Sequence, residues 1–221
     1  MMTGERERKI LKFFVEYLKS VFGERLISVI IYGSFLGQHY RAGISDINLV
    51  VVISEITVTD LFSIKKKVIR LASRYRLRPY FFTPDFIRTS TDSFPIEWQD
   101  IKESHQIIYG KDVLADIKID PGDLRRQLER EIKQGYLDFK QGLLFGKNPV
   151  NLVEESLKSC RVWEKYFPAI GLKTTQKPPS LPSHGKGVNI KNLCADHLNF
   201  LKNLVALIDT GPAKGEACRE K

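Results

Sequence analysis

The sequence predicts an α/β or α+β domain followed by an all-α helical domain. Two observations carry this. Through residue 116, short apolar runs rich in β-branched residues alternate with segments of helical periodicity. From Asp123 onward every apolar pattern is helical, and the change falls at Ile117–Pro121. The expected organisation is therefore a first domain over 1–116, a helical domain over 117–209, and a polar tail over 210–221.

Each element has its own signal. Residues 5–22 place Ile10, Leu11, Phe14, Val15, Leu18 and Phe22 at helical spacing, and Gly23 stops the pattern. Leu26–Tyr32 and Ile47–Ile53 read as buried strands. Helical periodicity resumes over Thr57–Tyr75. A third strand, Leu77–Phe82, carries Pro79, which assigns it to a sheet edge or places Pro79 among the strand's first residues. Thr83-Pro84 is a cap followed by proline at the first helical position, opening a short helix through Ile87. Phe94–Tyr109 stays open: Ile96 and Trp98 alternate as in a strand, and Ile107–Tyr109 could end either type of element. Helices follow over Asp123–Phe145, from Asn148-Pro149 through Trp163, and over Asn189–Ile208. Between the last two, residues 168–188 form a Pro/Gly/Ser/Lys-rich connection that includes His184 and Lys186.

Composition narrows the class. The chain has 221 residues, enough for one large domain or two small ones. No apolar run approaches the ~20 residues that span a bilayer, and the charged N-terminus lacks a signal-peptide core. A cytoplasmic protein with no membrane partner is expected. Cys160, Cys194 and Cys218 are too few and too scattered for a disulfide framework or a zinc site. The net charge of +9 suits an anionic partner, but the cations are spread along the chain. Lys65–Lys67 reads as a solvated helix face. Nucleic acid is therefore not the expected partner; an RNA role would require a contiguous positive face. His105 and His197 read as structural.

The chemistry concentrates in Ile30–Val52, IIYGSFLGQHYRAGISDINLVVV. Gly33 lets the backbone turn and approach a ligand. A helix after it would offer free N–H groups to a phosphate, and the Ser34 hydroxyl could bond a phosphate oxygen. His39 and Arg41 lie in the loop that follows, placed to meet phosphate or base. Asp46 and Asn48 are two residues apart at the start of a strand and share one face, so both could reach one metal ion.

Gly33-Ser34 with Ser45-Asp46-Ile47-Asn48 resembles the signature of the DNA polymerase β-like nucleotidyltransferase superfamily, in particular its minimal and kanamycin nucleotidyltransferase-like members. YFFTPDFI at 80–87 resembles the strand leading into their Thr-Pro-Glu helix, and IIYG at 107–110 their apolar-Tyr-Gly segment. The helical half is similar to the all-α domain attached to many such proteins. The resemblance implies an α+β nucleotidyltransferase-like fold with a mixed sheet flanked by helices, an all-α helical bundle as substrate or partner domain over 117–209, Mg²⁺, and transfer of a nucleoside monophosphate from an NTP, ATP foremost, to a hydroxyl of a small molecule or protein. It also implies three acidic ligands, because two hard Mg²⁺ ions must clamp the triphosphate. Asp46 matches the first. Asn48 stands at the second, a ligand without charge. Tyr80 is assigned to the third, where Glu97 or Asp100 of PIEWQDIK would have to substitute. On a helix those two share a face, on a strand they do not, and surface charge around a buried Trp98 is the simpler reading. Asp85 and Asp92 read as helix-cap or first-turn acids. Two functions follow: a weakened transferase with Asp46 and Asn48 as its catalytic pair, or a catalytically inactive nucleotide- or partner-binding regulator of the same fold. The helical domain could support a homo-oligomer.

Overall fold

The computed structural model describes residues 5–37, 40–41, 43–174, 176–181 and 189–211. The chain forms two compact units, Met1–Ile119 and Asp120–Lys221.

In the first unit the elements run α1 (Glu5–Phe22), β1 (Leu26–Tyr32), β2 (Ile47–Ile53), α2 (Val58–Tyr75), β3 (Leu77–Phe82), α3 (Pro84–Thr89), α4 (Pro95–Glu103) and β4 (His105–Gly110). The sheet order is β3-β2-β1-β4. β1 pairs antiparallel with β2 and with β4, while β2 and β3 are parallel, joined across α2. β3 lies at the edge, where the missing N–H of Pro79 breaks no ladder between two strands.

Alternation along β1 and β2 gives each sheet face its own core. On one face Val29, Ile31, Leu49 and Val51 pack with Phe14 and Leu18 of α1 and Ile64 and Leu71 of α2. On the other, Ile30, Val50 and Val52 pack with Ile87, Trp98, Ile101 and Leu114. α2 begins at a capping box: Thr57 Oγ1 accepts from Asp60 N at 3.1 Å, and Asp60 Oδ2 accepts from Thr57 N at 2.9 Å. Arg25 donates to both Asp60 oxygens, at 2.8 and 3.0 Å. These contacts, Arg25's first among them, hold the Asp60 carboxyl well below the usual carboxylate range.

The open segment 94–109 resolves as helix and then strand. Pro95 takes the first helical position, and Trp98 Nε1 donates to the buried Ser90 Oγ at 3.0 Å, anchoring α4 to the end of α3. Ile96, Trp98 and Ile101 are then all buried, Trp98 and Ile101 three apart in the core on the Ile30 face of the sheet.

The second unit holds α5 (Pro121–Leu144), α6 (Pro149–Tyr166) and α7 (Ile190–Thr210). Each begins at a side-chain cap, Asp120, Asn148 and Asn189 respectively. α5 starts two residues earlier than its apolar period suggests, because Asp120 Oδ1 accepts from the backbone N–H of Gly122 and Asp123 and so fixes Pro121 in the first turn. Leu128, Ile132, Phe139, Val153, Leu157, Phe200 and Leu201 are buried here. Cys160 and Cys194 are free thiols buried among them, and burial pushes Cys160 up to about 12. His197 is also buried, with Nε2 2.8 Å from Ser156 Oγ, and desolvation pushes its pKa down to about 4.

Candidate functional site

Gly33 ends β1 at φ +79°, a conformation that side-chain-bearing residues rarely adopt. A Cβ there would stand 3.3 Å from Asn48 Nδ2, so the glycine also makes room for the amide. The backbone then forms one 3-10 turn, Gly33–Leu36, rather than an α-helix. The expected helix N-terminus is therefore absent at this point. Four residues align too few peptide dipoles to form one. Phe35 is tucked inward from this turn and Ser34 is left exposed. Arg41 is exposed, and its backbone N–H donates to Ser45 Oγ at 3.1 Å. His39 lies outside the described residues, as do His184, Lys186 and Cys218.

Strand register places the remaining groups. Tyr32 on β1, Asn48 on β2 and Arg78 on β3 are partners in one row across the sheet. Tyr80, assigned from sequence to the third ligand position, stands two pairs further on, opposite Val50. Level with Asn48 is therefore Arg78.

Asp46 immediately precedes this row. Its Oδ1 lies 2.9 Å from Arg76 Nε and its Oδ2 3.5 Å from Arg78 Nε. Arg76 caps α2 in the left-handed conformation, φ 56°, the one described residue other than glycine with positive φ. Its carbonyl accepts from Ile47 N at 2.9 Å, which seats the turn against the start of β2. Asp46 Oδ1 is out of contact with water. The Arg76 contact is an ion pair without the direction of a hydrogen bond, so this oxygen accepts none from the described residues. Tyr32 is half-buried, and burial, with the neighbouring Tyr80 adding to it, pushes its phenol up to about 12, so it remains a donor at neutral pH.

The residues present do not fit Mg²⁺. That ion takes anionic oxygens at ~2.0–2.1 Å in near-octahedral geometry. Here one carboxylate faces two guanidinium groups, and its neighbour Asn48 brings no charge. A cation on Oδ1 would have to displace Arg76. Glu97 and Asp100 lie one turn apart on α4, flanking the buried Trp98, with Glu97 exposed. Among the described residues no group of three His, Cys, Asp or Glu side chains could hold a metal ion. Neither Glu97 nor Asp100 completes such a set with Asp46.

Beyond Arg78 along β3, Tyr80 and Phe82 stack at 6.4 Å between centroids, and Phe82 stacks on Phe86 at 5.5 Å. Tyr80 is 55% exposed. This row of one guanidinium and successive aromatic rings went unread in the sequence, as did Arg76. The signal was RLRPYFF directly after α2: once β2 and β3 are parallel neighbours, Arg76 and Arg78 must flank Asp46 and Asn48.

No family model matches the chain, and no curated protein matches it in sequence. Among solved structures it is similar to spectinomycin adenyltransferase AAD(9) from Enterococcus faecialis, crystallised with ATP and spectinomycin. The TM-score is 0.51 at 13% identity, covering 90% of this chain and 99% of that one. A mutant of the toxin–antitoxin pair MntA–HpeT is matched over 46% of this chain and 73% of its own, at TM-score 0.31 and 16% identity. The first likeness shows the fold: the chain has a nucleotidyltransferase-like mixed sheet flanked by helices, with a helical C-terminal region. No helix of the described residues is long and apolar enough to cross a membrane.

Proposed function

We propose that the first unit binds a nucleotide through its phosphates without a divalent metal, and that this is a binding site of a nucleotidyltransferase-like fold rather than a working transferase centre. The observation that carries this is the pairing of Asp46 with Arg76 and Arg78. Guanidinium groups are planar, permanently charged and matched to phosphate oxygens. Where the resemblance implies cations bridging carboxylates to a triphosphate, this chain presents the cations as side chains. Gly33 allows close backbone approach, while the exposed Ser34 and Arg41 add a hydroxyl and a charge. The exposed ring of Tyr80, next along the same face as Arg78, suits a base. The similar adenyltransferase was crystallised with ATP, which supports a nucleotide as the ligand.

Calorimetric titration with ATP, in EDTA and in Mg²⁺, tests the reading. Binding in EDTA at least as tight as in Mg²⁺ is expected, with no transfer of labelled nucleotide to pooled hydroxyl acceptors. Arg76→Ala/Arg78→Ala should weaken binding roughly tenfold or more, since hydrogen bonds to charged groups each contribute about 1.5–3 kcal/mol. No ATP binding in either condition sinks the proposal. Mg²⁺-dependent transfer that is lost in Asp46→Ala would establish the weakened transferase instead.

A further inference from the structure

Helices α1 and α2 enclose a second feature, separate from the Asp46 site. A groove of about 330 Å³ is lined by Lys9, Phe13, Lys67, Arg70, Arg74 and Tyr75, over a floor of Ile10 and Leu71. No acidic residue lines it. On α2, Lys67, Arg70 and Arg74 follow a spacing of three and then four residues, so they form one row along the helix. On α1, Arg6, Lys9 and Phe13 repeat that spacing. Lys9 has an acidic partner, Glu5 at 2.6 Å, in a pair that is largely exposed. Among the described residues Arg6, Lys67, Arg70 and Arg74 have none. Two rings stand within the cationic rows: Lys67 Nζ lies 4.6 Å from the Phe13 centroid, and the Arg74 and Arg6 guanidinium groups lie 5.4 and 5.6 Å from that of Tyr75. Phe13 is 48% exposed.

The cations that look scattered in sequence are thus gathered by the fold, since α1 and α2 lie some fifty residues apart in the chain. Lys9, Lys67, Arg70 and Arg74 are brought to one groove, with Arg6 beside its Tyr75. We infer that this groove binds single-stranded nucleic acid, its two rows of cations taking phosphates and Phe13 and Tyr75 meeting unstacked bases. Cations alone would suit any polyanion; rings interleaved with them favour a strand whose bases are free to stack. The groove shares no lining residue with the Asp46 site, although Tyr75 at its end directly precedes Arg76.

The test is fluorescence anisotropy of the full chain with labelled oligo-U and oligo-dT of about 12 nucleotides, between about 50 and 200 mM salt. The two oligomers separate a preference for RNA from one for DNA. Affinity should fall steeply with salt. Arg70→Ala/Arg74→Ala, both exposed, should weaken binding at least tenfold and reduce the slope of log affinity against log salt by about 1.4. Phe13→Ala should weaken binding about fivefold or more with the salt slope unchanged, the signature of a lost stacking contact. Arg78→Ala should bind oligonucleotide as the wild type does while binding ATP more weakly, which keeps this proposal separable from the other site. The inference is overturned if the wild type binds neither oligomer, or if the two variants bind like wild type. It is equally overturned if duplex, poly-glutamate or phosphatidylserine vesicles bind as well as the single strand.

Discussion

Replacing Asp46 by asparagine distinguishes a metal site from a cation site by the sign of its effect. In a centre that holds its triphosphate through Mg²⁺ on carboxylates, removing the anchoring carboxylate abolishes nucleotide binding. In this chain Asp46 neutralises part of the charge of Arg76 and Arg78, 2.9 and 3.5 Å away. A phosphate oxygen on the outer edge of the Arg76 guanidinium, itself about 2.8 Å from its donor, would sit about 6 Å from Asp46 Oδ1. Two like unit charges at that distance repel by about 0.7 kcal/mol in bulk water and about 1.4 at half that dielectric constant. The Asp46 side chain is 35% exposed and the two arginines 44% and 48%, so the watery end of the scale applies. Asp46→Asn should therefore tighten ATP binding in EDTA by about three- to tenfold. Folding should change by no more than about 1 kcal/mol, the ordinary worth of half-exposed ion pairs. Titration calorimetry in EDTA, paired with a urea melt of the same variant, measures both. Loss of ATP binding in a folded Asp46→Asn protein would refute the reasoning, because the carboxylate would then be holding ligand or metal rather than restraining the arginines.

Three further outcomes follow from the packing. Gly110 ends β4 at φ +78°, and a Cβ there would fall 1.9 Å from the Ile27 carbonyl oxygen, so Gly110→Ala should cost about 3 kcal/mol or more and detach the β4 edge, read by urea unfolding. Thr57→Ala removes the acceptor for Asp60 N and one half of the capping box of α2, and should cost about 1 kcal/mol by the same assay. His197 has a folded pKa of about 4, below its ordinary 6.5, so the unfolded chain binds the proton first. Its stabilising contribution is complete above pH ~6.5 and is lost as pH falls toward 4, by at most about 3 kcal/mol, and His197→Gln should flatten this part of the stability curve.

The sheet and its helices were legible because their apolar periods are long and their ends are chemically marked. Ile47–Ile53 is apolar at six of its seven positions, and only a strand buried on both faces tolerates that. Thr83-Pro84 and Asn148-Pro149 mark helix starts by cap and proline together. Segment 94–109 was ambiguous because Ile96 and Trp98 are two apart, and the third buried residue, Ile101, is needed before a helical face shows. Gly33, Ser34, Asp46 and Asn48 were legible as a local pattern. Arg76 and Arg78 were not, because their meaning is non-local. It depends on β2 and β3 being parallel and in a register that sets Asn48 beside Arg78. The third ligand position, assigned from sequence to Tyr80, lies two pairs beyond Arg78 along β3. The groove between α1 and α2 was illegible for the same reason: Lys9 and Lys67 are neighbours only after folding.

Charge at Asp46 separates the two functional readings by the sign of an expected Mg²⁺ effect. The resemblance implies three carboxylates, a strongly negative cluster that attracts Mg²⁺ before any nucleotide arrives. Asp46 with Arg76 and Arg78 carries one net positive charge, and Asn48 and Tyr32 add none at neutral pH. A divalent cation entering this cluster meets repulsion, while a triphosphate meets attraction, and free ATP is the more strongly attracted because it carries more negative charge than its Mg²⁺ complex. Magnesium should therefore act as a competitor of the protein for the nucleotide. Raising free Mg²⁺ at fixed ATP should weaken binding, and arginine-to-alanine changes at 76 and 78 should remove that antagonism along with most of the affinity. Binding that strengthens with Mg²⁺ in the wild type would instead require anionic ligands at this site other than Asp46.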